Sequence, residues 1–166
     1  HQAVAADIIK SRSQLSKNDK FHGILATQNI PEAIAYYKLF KEQYPSLNVV
    51  TVFDNNIDNS NEGIAKEDAL LEILKDYNDK YHTSFQLSTY AKWLAHKKPY
   101  LSIEHDHNQQ IDLLIVVTQM LTGYDSKWVN TLYVDKLMKY VDIIQAFSRT
   151  NRLFGPDKPF GIIRYY

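Results

Sequence analysis

The sequence predicts an α/β domain, a mostly parallel sheet with helices on both faces, and three observations carry that prediction. Apolar runs of strand length recur along the chain. Stretches with apolar residues at helical spacing separate several of them. One run, Ile111 to Val117, is nearly uniformly apolar, as a strand buried on both faces must be. The 166 residues, 45% hydrophobic and 13% aromatic, suffice for one compact domain with a sizeable core.

Residues 1–20 read as a lead-in segment. The chain opens on His1 rather than on methionine, with Gln2, Ala3 and Val4 already in mid-pattern, so a piece cut from a longer protein is expected. The first strand is Phe21 to Thr27, which ends in the polar Thr27, Gln28 and Asn29. A helix follows: Asn29 suits its cap, Pro31 its first turn, and Ile34, Tyr37, Phe40 and Tyr44 recur at helical spacing until Pro45. Asn48 to Phe53 is the next strand, which completes a βαβ unit and implies parallel strands. Residues 54–82 hold eight acids against three lysines, and within them Leu70, Ile73, Leu74, Tyr77 and Tyr81 form one apolar helical stripe with charge opposite. A second helical stretch runs from about Leu87 to His96. Together they read as a mainly helical insertion, residues 54–107, between sheet strands. After the Ile111 to Val117 strand comes Val129 to Val134, then a helix from about Val141, then a last strand, Phe160 to Tyr165.

Composition removes several classes of function. Lysine plus arginine and aspartate plus glutamate each count 19, so no global basic field draws the chain onto nucleic acid. The balance is uneven, however: from Ser126 onward seven basic residues face three acids, offsetting the acidic stretch before them. None of the five glycines precedes a lysine and no pair has Gly-x-Gly-x-x-Gly spacing, which excludes a phosphate-cradling loop and a dinucleotide fingerprint. Without cysteine there is no disulfide, thiol nucleophile or Cys-ligated zinc. No apolar stretch approaches the roughly 18 residues that span a bilayer, so no membrane association is expected.

In open α/β sheets, ligands bind outside the carboxyl ends of the strands. Three segments qualify: Thr27 to Asn29, Thr118 to Asp125, and the helix beyond Val134. Gly123 would let backbone approach a ligand, with the Asp125 carboxylate beside it, although Gly-x-Asp is also a common turn. The third segment is more specific. The chain has only four arginines, yet two of them, Arg149 and Arg152, share one helix face, with Gln145 a turn earlier. Paired guanidinium groups grip phosphate oxygens and stabilise charge that develops in phosphoryl transfer.

Ile111 to Asp125 followed by Gln145 to Arg152 resembles motifs V and VI of superfamily 2 helicases. The wording Met-Leu-Thr-Gly-Tyr-Asp, then Asn-Thr-Leu-Tyr-Val-Asp-Lys, then Gln-Ala-Phe-Ser-Arg-Thr-Asn-Arg is similar to the restriction and translocation (R, motor) subunit of type I restriction-modification enzymes, and Gly23 to Tyr44 resembles its motif IV region. The resemblance covers about residues 20–166. It implies a single RecA-like domain, the second lobe of an ATP-dependent double-stranded DNA translocase. It further implies that the first lobe holds ATP and Mg²⁺, that Arg152 is the arginine finger with Arg149 beside it, and that Gly123, Asp125 and Gln145 meet nucleotide. Thr118 or Thr122, and Thr27 with Gln28, would touch DNA phosphates. Ser148 departs from the family pattern, standing where many relatives have glycine. The implied partners are double-stranded DNA, the first lobe and nuclease domain of the same parent chain, and the specificity and methyltransferase subunits, in a prokaryotic cytoplasm. Lacking a phosphate loop, the fragment alone is expected to be inactive. No metal site is expected: His105 and His107, in Glu104-His-Asp-His107, have no third ligand that spacing identifies. The competing reading is a non-catalytic α/β module whose arginines serve a protein interface.

Overall fold

The computed structural model describes residues 1–52, 63–86, 89, 111–117, 128–135, 144, 148 and 155–166, with the side chains of its third helix from residue 67 onward. The elements run α1 (Gln2–Leu15), β1 (His22–Thr27), α2 (Ile30–Gln43), β2 (Val49–Val52), α3 (Gly63–Tyr81), β3 (Leu113–Val117), β4 (Val129–Asp135) and β5 (Ile162–Tyr165). The five strands form one sheet in the order β2-β3-β1-β4-β5, and every pairing is parallel. Each expected strand is present, with described ends that differ from the expected ones by no more than two residues.

Pleating sorts the strand residues into two cores. Ile24, Ala26, Val50, Val52, Leu114, Val116, Leu132 and Val134 face one side. Leu25, Leu113, Ile115, Val117 and Tyr133 face the other, where α1 and α2 pack through Ala5, Ile8, Ala33, Tyr36 and Phe40. Both faces of β3 are therefore apolar because both are covered, which is why its sequence lacks alternation.

Two elements depart from the sequence reading. Residues 2–15, assigned no element there, form α1, which buries Ala5, Ile8 and Ser11 against the sheet. The helix has no side-chain cap hydrogen bond, so tertiary contacts define it. The Asp7 carboxylate accepts hydrogen bonds from Arg164 and Tyr166, and the Leu15 carbonyl accepts one from Asn130. The second element, α3, carries the expected stripe but is built into the core: Leu74 and Tyr77 join one side of the sheet, while Leu70 and Ile73 join the other. It is the crossover between the neighbouring strands β2 and β3 and wraps the β2 edge. Of the helical stretch of residues 87–96 only residue 89 is described, and of the helix expected from residue 141 only residues 144 and 148; all three are helical.

The amino edge of the sheet is closed by buried polar contacts. Asp112, 4% exposed, accepts from the Arg12 guanidinium through one oxygen and from the Asn48 backbone N–H at 2.9 Å through the other. Asn48 in turn accepts from Lys80. One carboxylate thereby joins α1, β2, β3 and, through Asn48, α3.

Candidate functional site

The carboxyl edge is the opposite case. Thr27 pairs with Val117 on one side and with Asp135 on the other, while Val52 pairs with Val116. These strands therefore end level. Val117 and Asp135 therefore stand on either side of the end of β1, from which the chain turns into α2. Strands lie about 4.8 Å apart, so the three strand ends are near neighbours. β1 is also where the chain order reverses, with β3 on one flank and β4 on the other. That is the usual crevice for ligands in such sheets.

The turn itself is held by reciprocal caps. The Asn29 side chain accepts from the Glu32 N–H at 2.9 Å, and the Glu32 carboxylate accepts from the Gln28 N–H at 2.7 Å. Gln28 is exposed. Thr27 is fully buried, and its hydroxyl donates to the Val116 carbonyl at 3.2 Å, stitching β1 to β3. Of the four residues expected at DNA, two are described: Gln28 lies at the surface, and Thr27 is buried at the strand end. Thr118, Thr122, Gly123, Asp125, Gln145, Arg149 and Arg152 lie outside the described residues, as does the Glu104 to His107 segment.

Sequence reasoning missed a polar group beside this turn. The Tyr36 hydroxyl donates to Asp135, the last residue of β4. Burial and the Asp135 carboxylate push the Tyr36 phenol well above its ordinary pKa, so it stays protonated and remains a donor. The His1 ring meets Tyr36 edge-on at 4.5 Å, and its Nε2 lies 3.5 Å from Glu32. Asp135 was visible as an acid ending a strand, but no local pattern ties it to positions 1, 32 and 36. A separate cleft of about 470 Å³ opens between α2 and α3, lined in part by Tyr37, Lys41, Asp76, Tyr77 and Lys80. It sits beside the start of β2, away from the carboxyl edge, and its Asp76 accepts from Tyr37 and Lys41.

The parallel sheet with its reversal at β1 defines a RecA-like α/β fold. It superposes on the C-terminal part of the Fun30 ATPase domain with a TM-score of 0.52 over 98% of this chain and 40% of that one, at 12% identity. Residues 19–166 match the family described as type I restriction enzyme subunit R domain 3, and the chain belongs to that family. Over 99% of its length it is 36% identical to the type I restriction enzyme SauCOLORF180P endonuclease subunit of Staphylococcus aureus strain COL. It is 38% identical, again over 99% of its length, to the SsaAORF53P endonuclease subunit of Staphylococcus saprophyticus. A putative MjaIXP endonuclease subunit of Methanocaldococcus jannaschii is 26% identical over 98% of the chain. The chain spans only 18%, 19% and 13% of these relatives, so it corresponds to one domain of a much longer subunit. No described helix is long and apolar enough to cross a membrane.

Proposed function

We propose that this chain is the second motor lobe of an ATP-dependent double-stranded DNA translocase within a type I restriction enzyme R subunit. The observation that supports it most is the level ending of β1, β3 and β4. Val117 and Asp135, the last residues of β3 and β4, flank Thr27 at the end of β1, and in the sequence β3 is followed by the Gly123 and Asp125 pair and β4 by the Gln145, Arg149 and Arg152 set. In this reading Arg152 stabilises charge on the γ-phosphoryl group, Arg149 supports it, and Gly123, Asp125 and Gln145 meet the nucleotide. Gln28 with Thr118 or Thr122 contacts DNA phosphate.

The chain has no Gly-x-x-x-x-Gly-Lys loop, so nothing in its sequence can cradle β- and γ-phosphates, and no chemical step is assigned to it alone. ATP and Mg²⁺ belong to a first lobe elsewhere in the parent chain. Specificity and methyltransferase subunits complete the proposed assembly, in a prokaryotic cytoplasm.

The test is Arg152→Ala in the full-length R subunit. Loss of an arginine finger lowers the rate of phosphoryl transfer by about 10³ to 10⁵, so ATP turnover and translocation should collapse while DNA binding persists. The isolated 166-residue chain should hydrolyse no ATP. Near-normal turnover in the variant would instead assign the chain to a non-catalytic interaction module.

A further inference from the structure

We propose that His1, Glu32 and Asp135 form a binding site for one divalent transition-metal ion, Zn²⁺ or Mn²⁺, which clips the start of α1 to the first turn of α2 and the end of β4. Three elements bring together one imidazole and two carboxylates whose ligand atoms all lie within 4.8 Å of one another. The His1 Nε2 to Glu32 Oε1 separation is 3.5 Å. Two ligands on a tetrahedral ion with bonds of 2.0–2.2 Å stand about 3.4 Å apart, so this pair is already at ligand spacing.

The outer atoms of the two carboxylates are held by donors that would fix a metal ligand. Glu32 Oε2 accepts from the Gln28 N–H, which leaves Oε1, the oxygen facing His1. Asp135 Oδ2 accepts from the Tyr36 hydroxyl. Such donors orient carboxylate ligands in metal sites.

Charge points the same way, independently of that geometry. Two carboxylates converge here, and among the described residues neither forms an ion pair with a lysine or arginine. A divalent cation balances the pair. The mixed donor set suits Zn²⁺ or Mn²⁺ better than Mg²⁺, since imidazole favours the softer ions. Three protein ligands would leave at least one position for water.

Calorimetric titration of Zn²⁺ and Mn²⁺ into the 166-residue chain tests this, with the amino terminus acetylated so that the terminal amine and its own imidazole cannot chelate. One ion per chain is expected. His1→Ala and Asp135→Asn should each weaken binding at least tenfold, Tyr36→Phe should weaken it by about tenfold, and Zn²⁺ should raise the melting temperature of the wild type but not of Asp135→Asn. A His105→Ala/His107→Ala variant should bind as the wild type does. His1 is an exposed residue ahead of α1, so its variant stays informative if Asp135→Asn unfolds. No binding, equal affinity in the wild type and His1→Ala, or loss of binding only in the His105/His107 variant would overturn the proposal.

Discussion

At the scale of single residues, tight contacts in the sheet leave some positions no latitude. Gly23 sits in β1 between β3 and β4, and a Cβ added there would stand 2.7 Å from the Tyr133 ring and 3.4 Å from Leu113. Tyr133 is 2% exposed, with its hydroxyl 3.4 Å from Ser11, so the ring has nowhere to move cheaply. Gly23→Ala should therefore cost about 1 to 3 kcal/mol through overpacking, read by urea unfolding. In a Tyr133→Leu background, where the ring is gone, the same substitution should cost clearly less; an unchanged cost would refute the steric account. The glycine was legible in the sequence only as a permissive residue within a strand. Its actual reason is a tyrosine about 110 positions away, which no local pattern reveals.

Among the elements, α3 has the most unusual position. A helix on one face of a sheet presents one apolar stripe to one core, but α3 lies over the β2 edge and divides its stripe between two. Ile73 belongs to the core beneath α1 and α2, and Leu74 to the opposite one. Both are nearly fully buried, at 3% and 6% exposure. Ile73→Ala and Leu74→Ala should each cost about 2 to 5 kcal/mol. Because one rigid helix joins the cores, each variant should still unfold in a single transition by near- and far-ultraviolet circular dichroism. Separation of the two signals would show that α3 does not couple the faces. The stripe was readable from spacing of three and four residues, and so was α2 from its Asn29 cap and Pro31. The lead-in helix α1 was not, because its docking rests on Asp7, Arg12 and Leu15 meeting partners 100 or more residues away.

Over the whole molecule, the closed amino edge carries a pH dependence. His22 begins β1 beneath this edge at 2% exposure. Burial, then the charges of Lys158 and Arg12, hold its pKa well below the ordinary 6.5. Above pH 6.5 the imidazole is neutral in both folded and unfolded chains and contributes no slope. Below it, the unfolded chain takes up a proton that the native state refuses, so stability falls as pH falls, by up to about 1.4 kcal/mol per pH unit until the folded pKa is reached. Urea unfolding at pH 7.5 and 5.5 should show a smaller loss in His22→Gln than in the wild type. An equal loss in both would assign the acid sensitivity to other groups.

What the sequence by itself determined was the fold class, the five strands and their order along the chain, the missing phosphate loop and the family. All of these rest on local periodicity, turn residues and short motifs, which need no partner to be read. Tertiary structure alone decided that β3 lies between β1 and β2, that β1, β3 and β4 end level, and that Thr27 turns its hydroxyl inward while Gln28 stays at the surface. It also decided that His1, Glu32, Tyr36 and Asp135 meet at one edge. Strand order and register are settled by which faces must be buried together, a property of the assembled sheet. No stretch of the chain carries that information alone.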